Sequence, residues 1–193
     1  GLDVSSAMLD LCRAKLAGAG RKADLAVGDM RDFTRPRRYA LVMIPFNAFL
    51  HNATTRDQLA TLRCSREHLE PGGRLMFHVF HPDLAKLLEN DGTPRHLKTL
   101  ALPGGESMRV TDTGRLDPVE QRVWIGRRVE RLDPSGTVTA THDLTFDLRY
   151  LWKPETELLL TAAGFSRFEA RGGFEEPQPP KAGSSLVWTA WRD

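Results

Sequence analysis

Apolar positions in the first half of the chain follow two spacings in turn, which predict helices and strands. Residues 5–20 carry apolar side chains three and four positions apart behind a serine cap and ahead of glycine, so we predict a helix with Met8 and Leu9 in the core. Residues 23–27 and Tyr39–Ile44 are short continuous apolar runs, and we predict strands, the second buried on both faces. A capping-box pattern at residues 55–58 predicts a second helix, which the turn Pro71-Gly72-Gly73 ends before a strand at residues 75–80. This alternation predicts a parallel sheet with helices on its faces.

The second half has a different pattern. Residues 122–132 and 137–150 form two long strand-like runs around a strong turn signal, Asp133-Pro134-Ser135-Gly136. The second run alternates apolar and polar residues with a period of two, as antiparallel strands with one exposed face do. A helix near residues 154–163 and strands near 166–171 and 185–191 follow. We therefore predict one α/β domain over residues 1–193, a doubly wound Rossmann-like sheet with an antiparallel β insertion at residues 107–150.

Composition excludes several classes of protein. The 193 residues are 40% hydrophobic and 27% charged, which is typical of one globular domain. The formal net charge is only +2, which argues against a nucleic-acid partner, and two cysteines cannot build a disulfide framework or a zinc cluster. We expect no metal site. Without an apolar run long enough to span a membrane, we expect a cytoplasmic protein without a membrane partner.

Candidate binding residues follow the predicted parallel strands. Ligands of an open parallel sheet bind beyond the carboxyl ends of its strands. A carboxylate there can accept hydrogen bonds from both hydroxyls of a ribose, which suits Asp3, although Asp3 could simply cap the next helix. Asp29 could accept from an adenine amine, with the Met30 amide donating to the ring, or could simply form a turn. The other positions at strand ends are Pro45, Phe46, Asn47 and residues 79–81.

Four segments in order carry a family resemblance: GLDVSSAMLDLC, GDMRDF, YALVMIPFNAFLH and LEPGGRLMFHVFHP. Together with residues 150–165 they resemble the class I S-adenosylmethionine-dependent methyltransferases, and the Pro-Gly-Gly turn is their most specific element. Residues 107–150 resemble the antiparallel insertion that caps the substrate in small-molecule and amino-sugar N-methyltransferases of this fold. The resemblance implies methyl transfer from S-adenosylmethionine to a nitrogen or oxygen of a small-molecule acceptor.

The resemblance also implies roles for individual residues. Asp3 would bind the cofactor ribose and Val4 would pack on the adenine, whose edge Asp29 and Met30 would recognise. The methionine portion of the cofactor would be lined by Pro45, Phe46 and Asn47. Three further candidates follow from their places in the predicted chain: His81, at a strand end on the expected substrate side, could be a general base, and Tyr150, where the insertion returns, could contact the acceptor and is a second catalytic candidate. His51 could contact the acceptor or the cofactor, or be a plain loop histidine. His78 alternates within an apolar strand and reads as a core histidine.

One family element has no counterpart in the sequence. The first strand and Gly-rich loop of the family would precede Gly1, so we expect an N-terminally truncated domain of impaired activity, with a gap in its sheet. A homodimer through an exposed strand edge is a further expectation. Two other readings remain open: a non-catalytic fragment that acts as a binding or interaction module, and a nicotinamide-binding Rossmann domain, which Asp3 would serve equally. The Pro-Gly-Gly turn and the C-terminal hairpin argue against the second of these.

Overall fold

The computed structural model describes residues 1–174 and 178–193 of the chain. Its first half alternates strands and helices as predicted: β1 (Leu2–Asp3), α1 (Ser6–Gly18), β2 (Ala26–Val27), β3 (Tyr39–Ile44), α2 (Thr55–Glu67), β4 (Leu69–Phe80) and α3 (Leu84–Leu88). The second half holds β5 (Asp91–Ala101), β6 (Ser107–Asp117), β7 (Arg122–Leu132), β8 (Val138–Arg149), α4 (Lys153–Ala162), β9 (Arg167–Gly172) and β10 (Ser185–Trp191). A short 3-10 helix, Ala48–His51, follows β3.

The strands of the described residues form three sheets. β1 and β2 pair in parallel, and a second sheet has the order β3-β4-β10-β9, in which β3 and β4 are parallel and the other pairs antiparallel. In the described residues no backbone pairing joins these two sheets, so β1 and β3 each have one edge without a strand partner. The third sheet, β5-β6-β7-β8, is antiparallel throughout.

The main core lies on the face of the second sheet that α2 and α4 cover. Trp188 of β10 is fully buried and stacks on Phe77 of β4, with ring centroids 6.2 Å apart and planes 11° apart. Phe49, Leu62 and Leu160 pack in the same cluster. Burial of large aromatic and aliphatic side chains is the main favourable term in folding, so this cluster fixes where β4 presents its carboxyl end.

The Pro-Gly-Gly turn lies within β4. Gly72 adopts a positive φ of 76°, and a Cβ on Gly73 would lie 2.9 Å from the carbonyl oxygen of Glu70 and 3.0 Å from that of Tyr39. Both positions therefore favour glycine, one for its backbone conformation and the other for close approach. The pairing of β3 with β4 shifts register at this turn, between Tyr39 and Leu41.

The antiparallel sheet is larger than predicted. The proposed boundary of residues 107–150 is wrong at its start, because β5 adds an edge strand paired with β6. Residues 91–101 are largely exposed and include Pro94, which cannot donate a ladder hydrogen bond and is tolerated at an edge. Strand β5 has neither alternating apolar residues nor β-forming residues along its whole length, so the sequence pattern did not predict it.

Three local predictions are corrected. Met8 was predicted as a core residue and is 55% exposed, whereas Leu9 is buried. Only one face of β3 is buried, because Met43 is 62% exposed. Helix α2 begins one residue earlier than its capping pattern suggested: Thr54 is the cap, and its Oγ1 accepts from the Asp57 amide at 3.1 Å. The helices of the described part include none long and apolar enough to cross a membrane.

Candidate functional site

Contacts link the loops at the carboxyl ends of the parallel strands. The loop after β2 reaches the start of α2 through Arg31 and Asp57, and it reaches the 3-10 helix segment through Met30 and Asn52. The loop after β3 touches β4 through Phe46 and His78. These contacts connect the loops after β2 and β3 with α2 and β4, at the strand ends where a parallel sheet binds its ligands.

Asp3 ends β1 and is partly exposed. Its Oδ1 accepts from the Ser5 amide at 2.8 Å, and Ser5 in turn caps α1 by accepting from the Met8 amide at 3.3 Å. Asp3 thus supports the helix start through one oxygen. Since a carboxylate has several acceptor positions, this bond leaves capacity for a ligand hydroxyl. Val4 beside it is 69% exposed, so an apolar surface is open to contact.

Asp29 is already engaged with a neighbouring arginine. The Arg31 Nε lies 2.9 and 3.0 Å from the two carboxylate oxygens of Asp29, and the Arg31 amide donates to Oδ1 at 2.9 Å. These hydrogen bonds lower the pKa of Asp29 below its ordinary value. If Asp29 recognises an adenine amine, its carboxylate has to accept hydrogen bonds from both that amine and Arg31.

The pairing of Arg31 with Asp29 predicts a pH-dependent loss of stability. A lowered folded-state pKa contributes stability that is present above the ordinary value of 3.8 and is lost as the pH falls through the folded pKa. Arg31→Met is expected to raise the pKa of Asp29 towards 3.8 and to lower stability near neutral pH, with the difference from the native chain vanishing in acid. Urea unfolding as a function of pH measures this.

The control is Arg13→Met, which breaks the exposed pair with Asp10. Exposed pairs contribute little, so this variant is expected to match the native chain at every pH. An Arg31→Met chain whose pH profile is also unchanged would contradict the assigned role of the Asp29–Arg31 pair.

The loop after β3 has an unusual backbone. Phe46 and Asn47 adopt positive φ values of 57° and 59° in succession, a conformation that non-glycine residues rarely take. Phe46 is 87% exposed. The Asn47 Oδ1 is buried without a hydrogen-bond partner among the described residues. A buried acceptor without a donor is costly, so Asn47 is suited to accept from a bound group.

His51 ends the 3-10 helix and is exposed, and its ring meets the Phe146 edge at 6.1 Å between centroids. The guanidinium of Arg127 lies 5.2 Å from the Phe146 ring centre, held there by two bonds of 2.8 Å to Asp112. The antiparallel sheet therefore brings an aromatic ring and a fixed charge pair beside His51. Sequence reasoning predicted His51 and missed its neighbours, which require the register of β6, β7 and β8.

His81 and Tyr150 both contact Trp152, at ring distances of 6.0 and 6.1 Å. The His81 Nδ1 lies 3.2 Å from the Pro82 carbonyl oxygen. A carbonyl can only accept, so Nδ1 carries the hydrogen, and the neutral form of the ring has its lone pair at Nε2. Tyr150 is buried, and burial raises the pKa of its phenol, which therefore remains protonated at neutral pH.

The structure groups the predicted residues into three sets rather than one. Asp3 and Val4 lie at the end of β1, and Met30 joins the loop after β3 through Asn52. His81 and Tyr150 share Trp152. His78, read as a core histidine, instead accepts a hydrogen bond from the Phe46 amide. A search of the described residues for clusters of histidine, cysteine and acidic side chains suited to a metal finds none.

Comparison with known proteins finds its sequence matches in the part of the chain that contains the loops after β1, β2 and β3. Residues 1–73 match the family model of the methyltransferase domain. Over 73 residues the chain is 38% identical to the dTDP-3-amino-3,4,6-trideoxy-alpha-D-glucopyranose N,N-dimethyltransferase of Streptomyces venezuelae. This match spans 38% of the chain and 29% of that relative, or under a third of its length.

Solved structures show a similar fold over the whole chain. An S-adenosylmethionine-dependent methyltransferase from Clostridium acetobutylicum superposes with a TM-score of 0.83 at 14% identity, over 99% of this chain and 73% of that one. The S-adenosylmethionine-bound amino pentose methyltransferase CalS10 from Micromonospora echinaspora gives a TM-score of 0.73 at 21% identity, over 100% and 73%. The predicted Rossmann-like α/β fold and the resemblance to S-adenosylmethionine-dependent methyltransferases are confirmed.

Proposed function

We propose that this chain belongs to an enzyme that transfers a methyl group from S-adenosylmethionine to a small molecule, and that the acceptor is an amino group on a sugar. The methyltransferase-domain match carries the proposal, because residues 1–73 contain the loops of Asp3, Asp29 and Asn47. The amino-sugar acceptor rests on the relatives, one a dTDP-amino-sugar N,N-dimethyltransferase and another an amino pentose methyltransferase.

The residues at this edge fit the cofactor. The Asn47 Oδ1 is a buried acceptor without a partner in the described part of the chain, as an ammonium donor of the methionine portion requires. Asp3 retains acceptor capacity for ribose hydroxyls, and the exposed side chains of Val4 and Phe46 offer apolar surface. The Met30 amide and the carboxylate of Asp29 remain the proposed readers of the adenine edge.

The bound cofactor supplies a methyl group on a positively charged sulfur that is already activated for displacement. The protein then has to orient the acceptor nitrogen and take up one proton. His81 is the proposed base, because its Nδ1–H donates to the Pro82 carbonyl and leaves Nε2 to accept that proton. Tyr150 stays a phenol and is proposed to hydrogen-bond the acceptor rather than to act as an ionised base.

A methyl-transfer assay tests the proposal. The chain is incubated with S-adenosylmethionine and either a nucleotide-linked amino sugar or the same sugar with a hydroxyl in place of the amine, and S-adenosylhomocysteine is quantified by mass spectrometry. We expect product with the amino sugar only. Product with the hydroxyl analogue alone would overturn the amino-group assignment, and product with neither would contradict the proposed function for this chain.

A further inference from the structure

His78 occupies a fixed position in the second sheet. It lies near the carboxyl end of β4, between the parallel partner β3 and the antiparallel partner β10, where it pairs with Val187. The Phe174 ring meets its imidazole edge to face, with centroids 4.8 Å apart. His78 is thus held by strand pairing in the sheet, and its side chain contacts an aromatic ring.

The Nδ1 of His78 accepts a hydrogen bond from the Phe46 amide at 3.0 Å. This amide opens the two-residue left-handed turn of Phe46 and Asn47. Each left-handed non-glycine residue is costly and persists only where surrounding structure determines it. The Phe46 ring also meets the His78 ring, at 6.4 Å and 76°. Thus one side chain contacts both the backbone and the side chain of the strained turn.

The bond requires one protonation state of His78. To accept at Nδ1 the imidazole must be neutral with its hydrogen on Nε2, because a protonated ring has donors only. Burial lowers the pKa of His78 below its ordinary 6.5, which favours the neutral form. The charged side chains that the strand registers place on this sheet face among the described residues are Arg74, Arg167, Glu169 and Arg171. Glu169 and Arg171 pair at 2.7 Å, and Arg167 lies over the Trp191 ring. Arg171 lies two strands from His78, roughly 10 Å away.

We propose that His78 is a positioning residue for the cofactor site: its Nδ1 fixes the Phe46 amide, and the resulting turn sets the place of the Asn47 side chain. The role of Asn47 as a cofactor ligand rests on the proposed function. The role of His78 in holding the turn rests on the geometry alone. His78 then acts outside the core, because its neutral imidazole accepts the hydrogen bond of the Phe46 amide in place of a backbone carbonyl.

The test follows the Phe46 amide in the isotope-labelled chain by NMR. In His78→Leu the acceptor is lost, and we expect hydrogen exchange of the Phe46 amide to accelerate by roughly tenfold. His78→Asn is the matched variant, since its side-chain oxygen can replace Nδ1 without titrating, and we expect it to restore protection. In the native chain the Phe46 amide shift should follow the protonation of His78, and His78→Asn should abolish that pH step.

Ligand binding is the second readout. S-adenosylhomocysteine is expected to bind His78→Leu about 3- to 10-fold more weakly than the native chain, with His78→Asn close to native. The proposal is overturned if the exchange rate of the Phe46 amide is unchanged in His78→Leu and its chemical shift in the native chain does not change with pH. Should His78→Leu fail to fold, the native pH titration still decides. If the native chain binds no S-adenosylhomocysteine, the proposed function fails, while the Phe46 amide still tests the role of His78 in the turn.

Discussion

Replacing Trp188 by alanine is expected to lower the free energy of unfolding by roughly 3–5 kcal/mol, because it leaves a large cavity between β4 and β9. Trp188 is fully buried, stacks on Phe77 at 6.2 Å and lies 6.4 Å from the Phe168 ring. Urea unfolding followed by circular dichroism measures the loss. The same substitution should loosen the carboxyl end of β4, where His78 and His81 lie.

Trp188→Phe is the control for this prediction. The Trp188 Nε1 is buried without a hydrogen-bond partner in the part of the chain that the structure describes. Phenylalanine keeps an aromatic ring and removes that unsatisfied donor, so we expect a cost below about 1.5 kcal/mol. A loss below about 1.5 kcal/mol for Trp188→Ala as well would show that Trp188 is not the packing centre of the sheet.

Asp3→Ala is expected to weaken binding of S-adenosylhomocysteine by roughly 1–3 kcal/mol, or about 5- to 150-fold in Kd, since ligand hydroxyls lose their acceptor. Titration calorimetry measures this change. The variant also loses the bond from the Ser5 amide to Oδ1, so its stability is expected to fall as well. A second variant is therefore needed to separate the loss of ligand binding from the loss of stability.

Ser5→Ala separates the two roles. It removes the cap of α1 and should cost about 1 kcal/mol of stability. It leaves the Asp3 carboxylate in place, so the Kd should not change. If Asp3→Ala loses only stability and binds like the native chain, then Asp3 supports the helix start and has no part in the site.

Local patterns in the sequence were sufficient to propose part of the candidate site. Asp3 and Asp29 became candidates because each follows an apolar run, and such runs mark strand ends whatever the rest of the chain does. The pairing of Asp29 with Arg31 was also within reach, since opposite charges two residues apart in a turn can meet. That contact changes what Asp29 has available for a ligand.

Contacts between distant segments were not predictable in the same way. Alternation places His78 on a face of β4, and it does not say that the face meets the amide of Phe46, 32 residues away in sequence. The stacking of Trp188 on Phe77 depends on the register of β10 against β4. Strand β5 was missed because its exposed residues carry no apolar period. Each of these features is set by pairing across the sheet.

We propose that the loops after β1, β2 and β3 form an S-adenosylmethionine site. The most direct test records amide NMR spectra of the labelled chain while S-adenosylhomocysteine is added to millimolar concentration, which reports weak binding as well as strong. We expect saturable shifts centred on Asp3, Val4, Met30 and Asn47, with residues 91–101 of the antiparallel edge unaffected. Shifts absent from these loops, or centred elsewhere, would contradict the account.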